Sequence, residues 1–407
     1  MTAGGTAGGA GDGRVRVGVI GSGSIAQIMH LPYLLELDDR FVISALCDVS
    51  RETLDAVGAL YGVPPGARFT DYRALCESDL VDAVLVCPSG SHVPAALAAV
   101  AAGKHALVEK PLCYRLDEAA ALVEAAREAR ERAGVVVLMA YMKRFDPGYQ
   151  YGQRLVRPLA EAGRIRFVDA RHLHPSNDLY MAHHRIFRGR DVPAALREAG
   201  RREDAAAVTA SLGPDAPEAQ RRVFQGMMGS SIHDVYCLNG LLGRPEEIVA
   251  SETWDGGRCW SAILRYPNGV RVSYAWVDVR QIREFRQEFA CFGDDSRVTI
   301  TFPSPFLKSA PTLVTVQGSE AAGTGAPYGR APVPPGRARG GALTGPPPRA
   351  RTPPPVGGSP DPSRSLLTAS LPHCLRGAQA LRRPGWRGPS RRRKRCPRTP
   401  PPARPGA

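Results

Sequence analysis

The sequence predicts an α/β protein: a doubly wound parallel sheet, then a second α+β domain with an open-faced, mostly antiparallel sheet, then an unstructured tail. Three observations carry this. Short apolar runs rich in β-branched residues alternate with helical stretches between Val15 and Met139, five runs in all, as parallel strands buried on both faces do. The first run ends in Gly21-Ser22-Gly23-Ser24-Ile25-Ala26, a G-x-G-x-x-A turn with a strand before it and a helical pattern after. From about residue 247 the pattern becomes apolar or alternating segments divided by turns such as Pro267-Asn268-Gly269 and Gly293-Asp294-Asp295, the signature of antiparallel sheet.

In chain order, Val15 to Ile20 is the first buried strand. Gly21 allows the tight turn, Gly23 lets backbone approach a pyrophosphate, and Ala26 lets the helix pack on the strand. The helix N–H groups and dipole then hold the phosphates. Gly21, Ser22, Gly23, Ser24, Ile25 and Ala26 are therefore the candidate phosphate loop of a Rossmann-type dinucleotide domain. Pro32 predicts a kink or short break in the helix from Ser24 to Leu37. The second strand, Phe41 to Cys47, ends at Asp48, about 22 residues past Ala26, where a ribose-binding carboxylate falls. Asp48 favours NAD; Ser50 and Arg51 directly after it are the alternative, a cradle for the 2′-phosphate of NADP. As an ordinary structural residue, Asp48 is a turn former.

Helices at Arg51 to Tyr61 and Tyr72 to Glu77, the latter capped by Asp71, precede a strand at Ala83 to Cys87. That strand runs into Pro88-Ser89-Gly90-Ser91-His92, small residues where an open sheet leaves room for a ligand. Helix Val93 to Gly103, strand His105 to Val108, the turn Glu109-Lys110-Pro111, helix Asp117 to Ala133 and strand Val135 to Met139 complete the series.

The second domain opens with a helix at Pro147 to Ala162 and a strand at Ile165 to His172. An insertion, Pro175 to Ala219, holds Tyr180, His183, His184 and a helical stretch from Pro193 to about Ser211. Long insertions are often lids or binding loops, so His183 and His184 either touch substrate or sit on a solvated loop. Gly226 to Val235 leads into an apolar helix closed by Gly243. Strands are expected at Glu247–Trp254, Cys259–Tyr266, Val270–Val277, Glu284–Phe292 and Arg297–Phe302. The domain limits are a disordered leader at 1–13, a dinucleotide domain at 14–141, a substrate and oligomerisation domain at 142–318, and a tail at 319–407.

Composition narrows the function. The formal net charge is +14, but the segment from Ala321 onward holds 17 of the 53 Lys/Arg and one of the 39 Asp/Glu. The remainder is close to neutral, so nothing in it points to specific nucleic-acid binding. No apolar run approaches the roughly 20 residues that span a bilayer, and Met1 to Gly13 lacks the basic start and apolar centre of a secretory signal. Nine cysteines without C-x-x-C or zinc spacing suit a reducing cytoplasm and predict no metal site. The tail also holds 20 of the 37 prolines and cannot bury enough apolar surface to order itself. Arg391 to Arg395 would bind nucleic acid only non-specifically. Such Arg/Pro/Gly/Ala bias is what a GC-rich gene gives in a shifted frame, and a frame change near residues 317–330 is expected.

Val17-Gly18-Val19-Ile20-Gly21-Ser22-Gly23-Ser24-Ile25-Ala26, then Cys47-Asp48, then Cys87-Pro88-Ser89-Gly90-Ser91-His92, then Glu109-Lys110-Pro111 resemble the N-terminal domain of the glucose–fructose oxidoreductase / inositol dehydrogenase / rhizopine-catabolism (Gfo/Idh/MocA) family. Met142 to Pro147 resembles the family's R-F-x-P stretch, and the likeness reaches Leu313 to Val316. The resemblance implies an NAD- or NADP-dependent dehydrogenase moving a hydride to or from a carbinol carbon of a sugar, polyol or related small molecule. The alternative is an inactive NAD(P)-binding sensor of the same fold. It implies a cofactor site at Gly21, Ser22, Gly23, Ser24, Ile25, Ala26, Asp48, Cys87, Pro88, Ser89, His92, Glu109 and Lys110, with Lys110 on the substrate oxygen. An open sheet face makes a homodimer or homotetramer plausible.

Burial and a neighbouring nicotinamide charge would both lower the Lys110 pKa and suit it to proton work; otherwise Lys110 is a phosphate-neutralising surface residue. His233 matches the histidine of the family's D-x-x-x-H pattern and is the candidate acid/base, or else a core histidine. Gly229 stands where that aspartate should be, and this favours the sensor reading; Asp234 points elsewhere on its helix. Arg144 either lines the cleft or holds the domain junction.

Overall fold

The computed structural model describes residues 13–308, 310–318 and 329–331. Most of the leader and nearly all of the expected tail, including the arginine run at 391–395 and the greater part of the expected frame change, lie outside the described residues. The first domain is a six-stranded, all-parallel sheet built from β1 (Val15–Ile20), β2 (Phe41–Cys47), β3 (Arg68–Phe69), β4 (Ala83–Val86), β5 (His105–Val108) and β6 (Val137–Met139), in the order β3-β2-β1-β4-β5-β6. Five of these strands are those expected; β3, a two-residue edge strand, is an addition. Strand order reverses at β1, so the carboxyl ends of β1 and β4 form the crevice in which ligands of such sheets bind.

Helices cover both faces. The first begins at Ser24, passes through a π-helical turn at Ala26–His30 and continues as α1 (Leu31–Glu36). Pro32 lies directly after the π-helical turn, inside the continuing helix, where it has no N–H to give the turn before it; the expected break is this change of helical pitch. Next come α2 (Arg51–Leu60), α3 (Tyr72–Glu77), α4 (Val93–Ala101) and α5 (Leu116–Ala133). Ser50 and Asp71 cap α2 and α3 by accepting from Thr53 N and Arg73 N. The core is a continuous apolar cluster that includes Val17, Val19, Leu46, Leu54, Leu85 and Val108.

The second domain holds an eight-stranded sheet ordered β14-β13-β12-β11-β7-β10-β9-β8, comprising β7 (Ile165–His174), β8 (Glu247–Trp254), β9 (Cys259–Arg265), β10 (Arg271–Asp278), β11 (Arg286–Gly293), β12 (Ser296–Phe302), β13 (Leu313–Gly318) and β14 (Gly329–Ala331). All pairs are antiparallel except β10 with β7. β14, inside the stretch expected to be tail, pairs with β13. β7 runs two residues beyond its expected end, so that His174 joins the sheet. One face packs on α6 (Pro147–Glu161) and, further along the chain, α10 (Ile232–Leu242), burying Tyr149, Val156, Tyr236 and Leu241 against Val168, Phe289 and Ile300. Away from this core, β8 is exposed along its whole length. The insertion forms α7 (Asp178–Met181), α8 (Ala194–Leu212) and α9 (Glu218–Gly226). No helix among the described residues is long and apolar enough to cross a membrane.

Candidate active site

The first domain supplies a cradle at the β1–β4 crevice. Gly21 has φ +86°, and a Cβ there would stand 2.5 Å from Pro88 N, so only glycine fits the turn. Cys87 donates its thiol to Gly21 O at 3.1 Å, and burial pushes that thiol's pKa well up; it ties the two loops together. Beside Gly23 there is open space, and the Ser22 hydroxyl is fully buried without a partner among the described residues. Asp48, at the end of β2, accepts from Ser22 N and Ser50 N, both at 2.9 Å. The carboxylate thus shapes the loop. An orphaned hydroxyl, free space beside Gly23 and a helix starting at Ser24 fit a dinucleotide pyrophosphate.

Glu109 and Lys110 leave β5 together, and the peptide between Lys110 and Pro111 is cis. Glu109 Oε1 lies 2.9 Å from Nε2 of the buried His30, and its Oε2 accepts from Lys110 N at 3.0 Å. Burial works to raise the Glu109 pKa, but the His30 bond and the Lys110 charge bring it below the ordinary value. The Lys110 amine donates to Gly229 O at 2.9 Å, which closes the cleft from the second domain. Burial lowers the Lys110 pKa, against the pull of Glu109. His92 has a different partner from the crevice: its Nδ1 donates to Pro111 O at 2.6 Å and its backbone N to Leu112 O, so the ring braces the Glu109-Lys110-Pro111 turn. Pro88 packs on Gly21, and Ser89 is exposed.

The second domain supplies imidazoles. His233, in the first turn of α10, bonds Tyr236 Oη through Nδ1 at 2.9 Å, leaving Nε2 as its other polar atom. Burial, then the charges of Lys110, Lys143, His172 and His174, hold its pKa well below the usual value. The neighbouring Asp234 does point elsewhere: it is fully buried and accepts from His172 Nδ1 at 2.8 Å, Tyr274 Oη at 2.9 Å and Gln287 Nε2. His172 Nε2 in turn lies 3.3 Å from His174 Nδ1, and His174 stacks on Trp276. With Asp234 accepting from His172 Nδ1–H, His172 Nε2 is an acceptor, and His174 Nε2 is left as a base at the end of the chain. Burial and the nearby His172 lower the His174 pKa to about 4. Lys143, also buried, donates to Gln287 Oε1 at 2.6 Å. Strand register brings these groups together: His172 on β7 lies beside Trp276 on β10 and Gln287 on β11.

Gly229 sits in a π-helical turn, Met227–Ser231, and a Cβ there would meet nothing within 4 Å. Arg144 lies over the stacked Tyr141 and Tyr236 rings, 5.6 and 5.8 Å from their centres, at the junction of the domains. The His183 and His184 rings meet at a tilt, their centres 4.0 Å apart, and His184 lies near Phe306 and Lys308. His172, His174, Tyr274 and Gln287 were not singled out from sequence. The one signal was His172-x-His174, two same-face imidazoles at the carboxyl end of a strand next to a long insertion.

Residues 15–137 match the model of an oxidoreductase family (GFO_IDH_MocA), described as NAD-binding Rossmann fold. The inositol 2-dehydrogenase of Paracoccus denitrificans is 35% identical over 162 residues, 40% of this chain and 46% of that enzyme. The chain thus spans just under half the length of that relative. Among solved structures, an inositol dehydrogenase homologue from Azotobacter vinelandii, complexed with NADH and myo-inositol, superposes with a TM-score of 0.55 at 19% identity over 75% of this chain and 74% of that one. The WlbA dehydrogenase of Bordetella pertussis, with NADH and UDP-GlcNAcA, gives 0.53 at 21% identity over 72% and 75%. Both likenesses are of fold.

Proposed function

We propose that the chain is a member of the Gfo/Idh/MocA oxidoreductase family, whose model matches residues 15–137, and that it is an NAD-dependent dehydrogenase acting on a carbinol of a polyol or sugar. The observation that carries the reading is Lys110, whose backbone amide donates to Glu109 and whose side-chain amine donates to Gly229 O at the mouth of the crevice. The bound nicotinamide supplies the hydride acceptor. Lys110 Nζ holds the carbinol oxygen and draws off its proton, a task its lowered pKa suits. His233 Nε2 is the partner that relays the proton, kept neutral first by burial and then by the nearby Lys110 and Lys143. Asp234, through His172, fixes the tautomer of His174 beside them, a carboxylate–imidazole chain in a site whose usual aspartate is Gly229. Arg144 and the Tyr141–Tyr236 stack wall the cleft. The exposed β8 edge suits a homo-oligomer.

The test is nicotinamide reduction over a panel of polyols and sugars. At least one substrate should turn over, and Lys110→Ala should lower kcat by about 10²–10⁴-fold while ADP-ribose binding stays within about threefold. A Lys110→Ala variant near wild-type kcat overturns the role of Lys110. Dinucleotide binding with no turnover across the panel supports the sensor reading that Gly229 favours.

A further inference from the structure

The insertion of the second domain also reaches the first. Its segment Phe187–Asp191, between α7 and α8, crosses onto the nucleotide-binding edge of the first domain. Gln27, one residue past the phosphate loop, bonds both ways with Phe187: its Nε2 donates to Phe187 O and its Oε1 accepts from Phe187 N, each at 2.8 Å. The Arg188 guanidinium reaches the Ser24 hydroxyl at 3.4 Å. Gly189 N donates to Thr53 Oγ1 at 3.1 Å and Arg190 N to Glu52 Oε2 at 2.8 Å. A Cβ on Gly189 would collide with the Ser50 hydroxyl, so the strap lies hard against the turn after β2.

The strap ends in Asp191. Its carboxylate accepts from the Ser50 hydroxyl, from Arg51 N at 2.7 Å and from Glu52 N at 3.1 Å. Asp48 has already taken the Ser50 amide, so the two carboxylates together collect the donors that follow β2 at the start of the ten-residue α2. In a dinucleotide domain the β2 carboxylate meets the ribose, and the donors just beyond it are where a 2′-phosphate is received. The Ser50 bond holds the Asp191 carboxyl below its ordinary pKa, so it is charged at neutral pH.

We infer that Asp191, delivered from the second domain, is the specificity-determining residue for the cofactor: it fills the 2′-phosphate position with a fixed negative charge and restricts the site to NAD. The inference rests on the dinucleotide reading of the crevice and deepens it. Ser50 and Arg51, the features that from sequence alone left NADP open, are the groups Asp191 engages. Without Asp191, the amides of Arg51 and Glu52, the Ser50 hydroxyl and the cations of Arg51, Arg188 and Arg190 would form an anion site with no resident anion.

The experiment measures binding of ADP-ribose and 2′-phospho-ADP-ribose, neither of which can be reduced, to the full chain by calorimetry at fixed ionic strength. Wild type should prefer ADP-ribose by about 30-fold or more. Asp191→Ala should tighten 2′-phospho-ADP-ribose about tenfold or more and change ADP-ribose by less than about threefold; Asp191→Asn, neutral and of the same shape, should move the same way. Asp191 is on the surface, so both variants should keep the wild-type fold, and thermal unfolding of the free proteins checks this. Equal changes for both ligands would make Asp191 only an anchor for the strap and overturn the inference, as would no change for either. Failure of wild type to bind ADP-ribose overturns the dinucleotide reading itself, and the inference with it.

Discussion

The two walls of the cleft are built in opposite ways. The first domain places its chemistry in contiguous runs, Gly21 to Ala26, Asp48 and Glu109-Lys110, each at the carboxyl end of a parallel strand and held largely by backbone. The second places His172, His174, Asp234, Tyr274 and Gln287 on three strands and a helix, held by side chains that satisfy one another in the interior. A backbone-held site tolerates loss of one side chain because solvent can replace it. A buried network does not, because each member removed leaves others without partners.

The sharpest break of that contrast is Asp234→Ala. It leaves one buried donor on each of His172, Tyr274 and Gln287 without its acceptor, and should lower stability by about 3 kcal/mol in chemical unfolding. Asp48→Ala, at a partly exposed turn, should cost about 1 kcal/mol or less. Equal costs would show that the Asp234 network is not the structural centre of the second wall.

A smaller effect is expected from pH. His174, with its pKa lowered to about 4, and His233, lowered well below its usual value, are neutral in the fold but take up protons when unfolded, near pH 6.5. Below that value the unfolded state binds more protons, so stability falls as pH drops from about 6.5 towards 4 and is fully present above it. Denaturation midpoints across this window should decline, and His174→Phe, which keeps the stacking on Trp276, should make the decline shallower. An unchanged slope would mean that His174 does not titrate with folding.

The least disruptive change is Gly229→Asp. Nothing lies within 4 Å of the added Cβ, so the variant should unfold within about 0.5 kcal/mol of wild type. A carboxylate near Lys110 should raise the pKa of that amine and move the pH–rate profile upward by about one unit. An unmoved profile, together with an active His233→Ala, would remove His233 from proton transfer.

What was legible in the sequence follows the same division. Asp71 as a cap, Gly21 as a turn and Lys110 beside Glu109 could be read because their roles depend on residues within a few positions. β3 escaped because two residues carry no period. The true end of β7 escaped because His172-Leu173-His174 reads as either strand or loop until β10 and β11 are laid beside it.

The amino-acid order by itself determined the parallel domain, its phosphate loop, the Glu109-Lys110-Pro111 turn and the placement of His233 at a helix start, since strand and helix periods and turn chemistry are local. Only the tertiary structure decided that β10 pairs parallel to β7, that Asp234 answers His172 rather than His233, and that Asp191 lies on Ser50 some 141 positions away in the chain. Those partners are chosen by register across strands and by the satisfaction of buried polar groups, and neither leaves a periodic trace in a single chain.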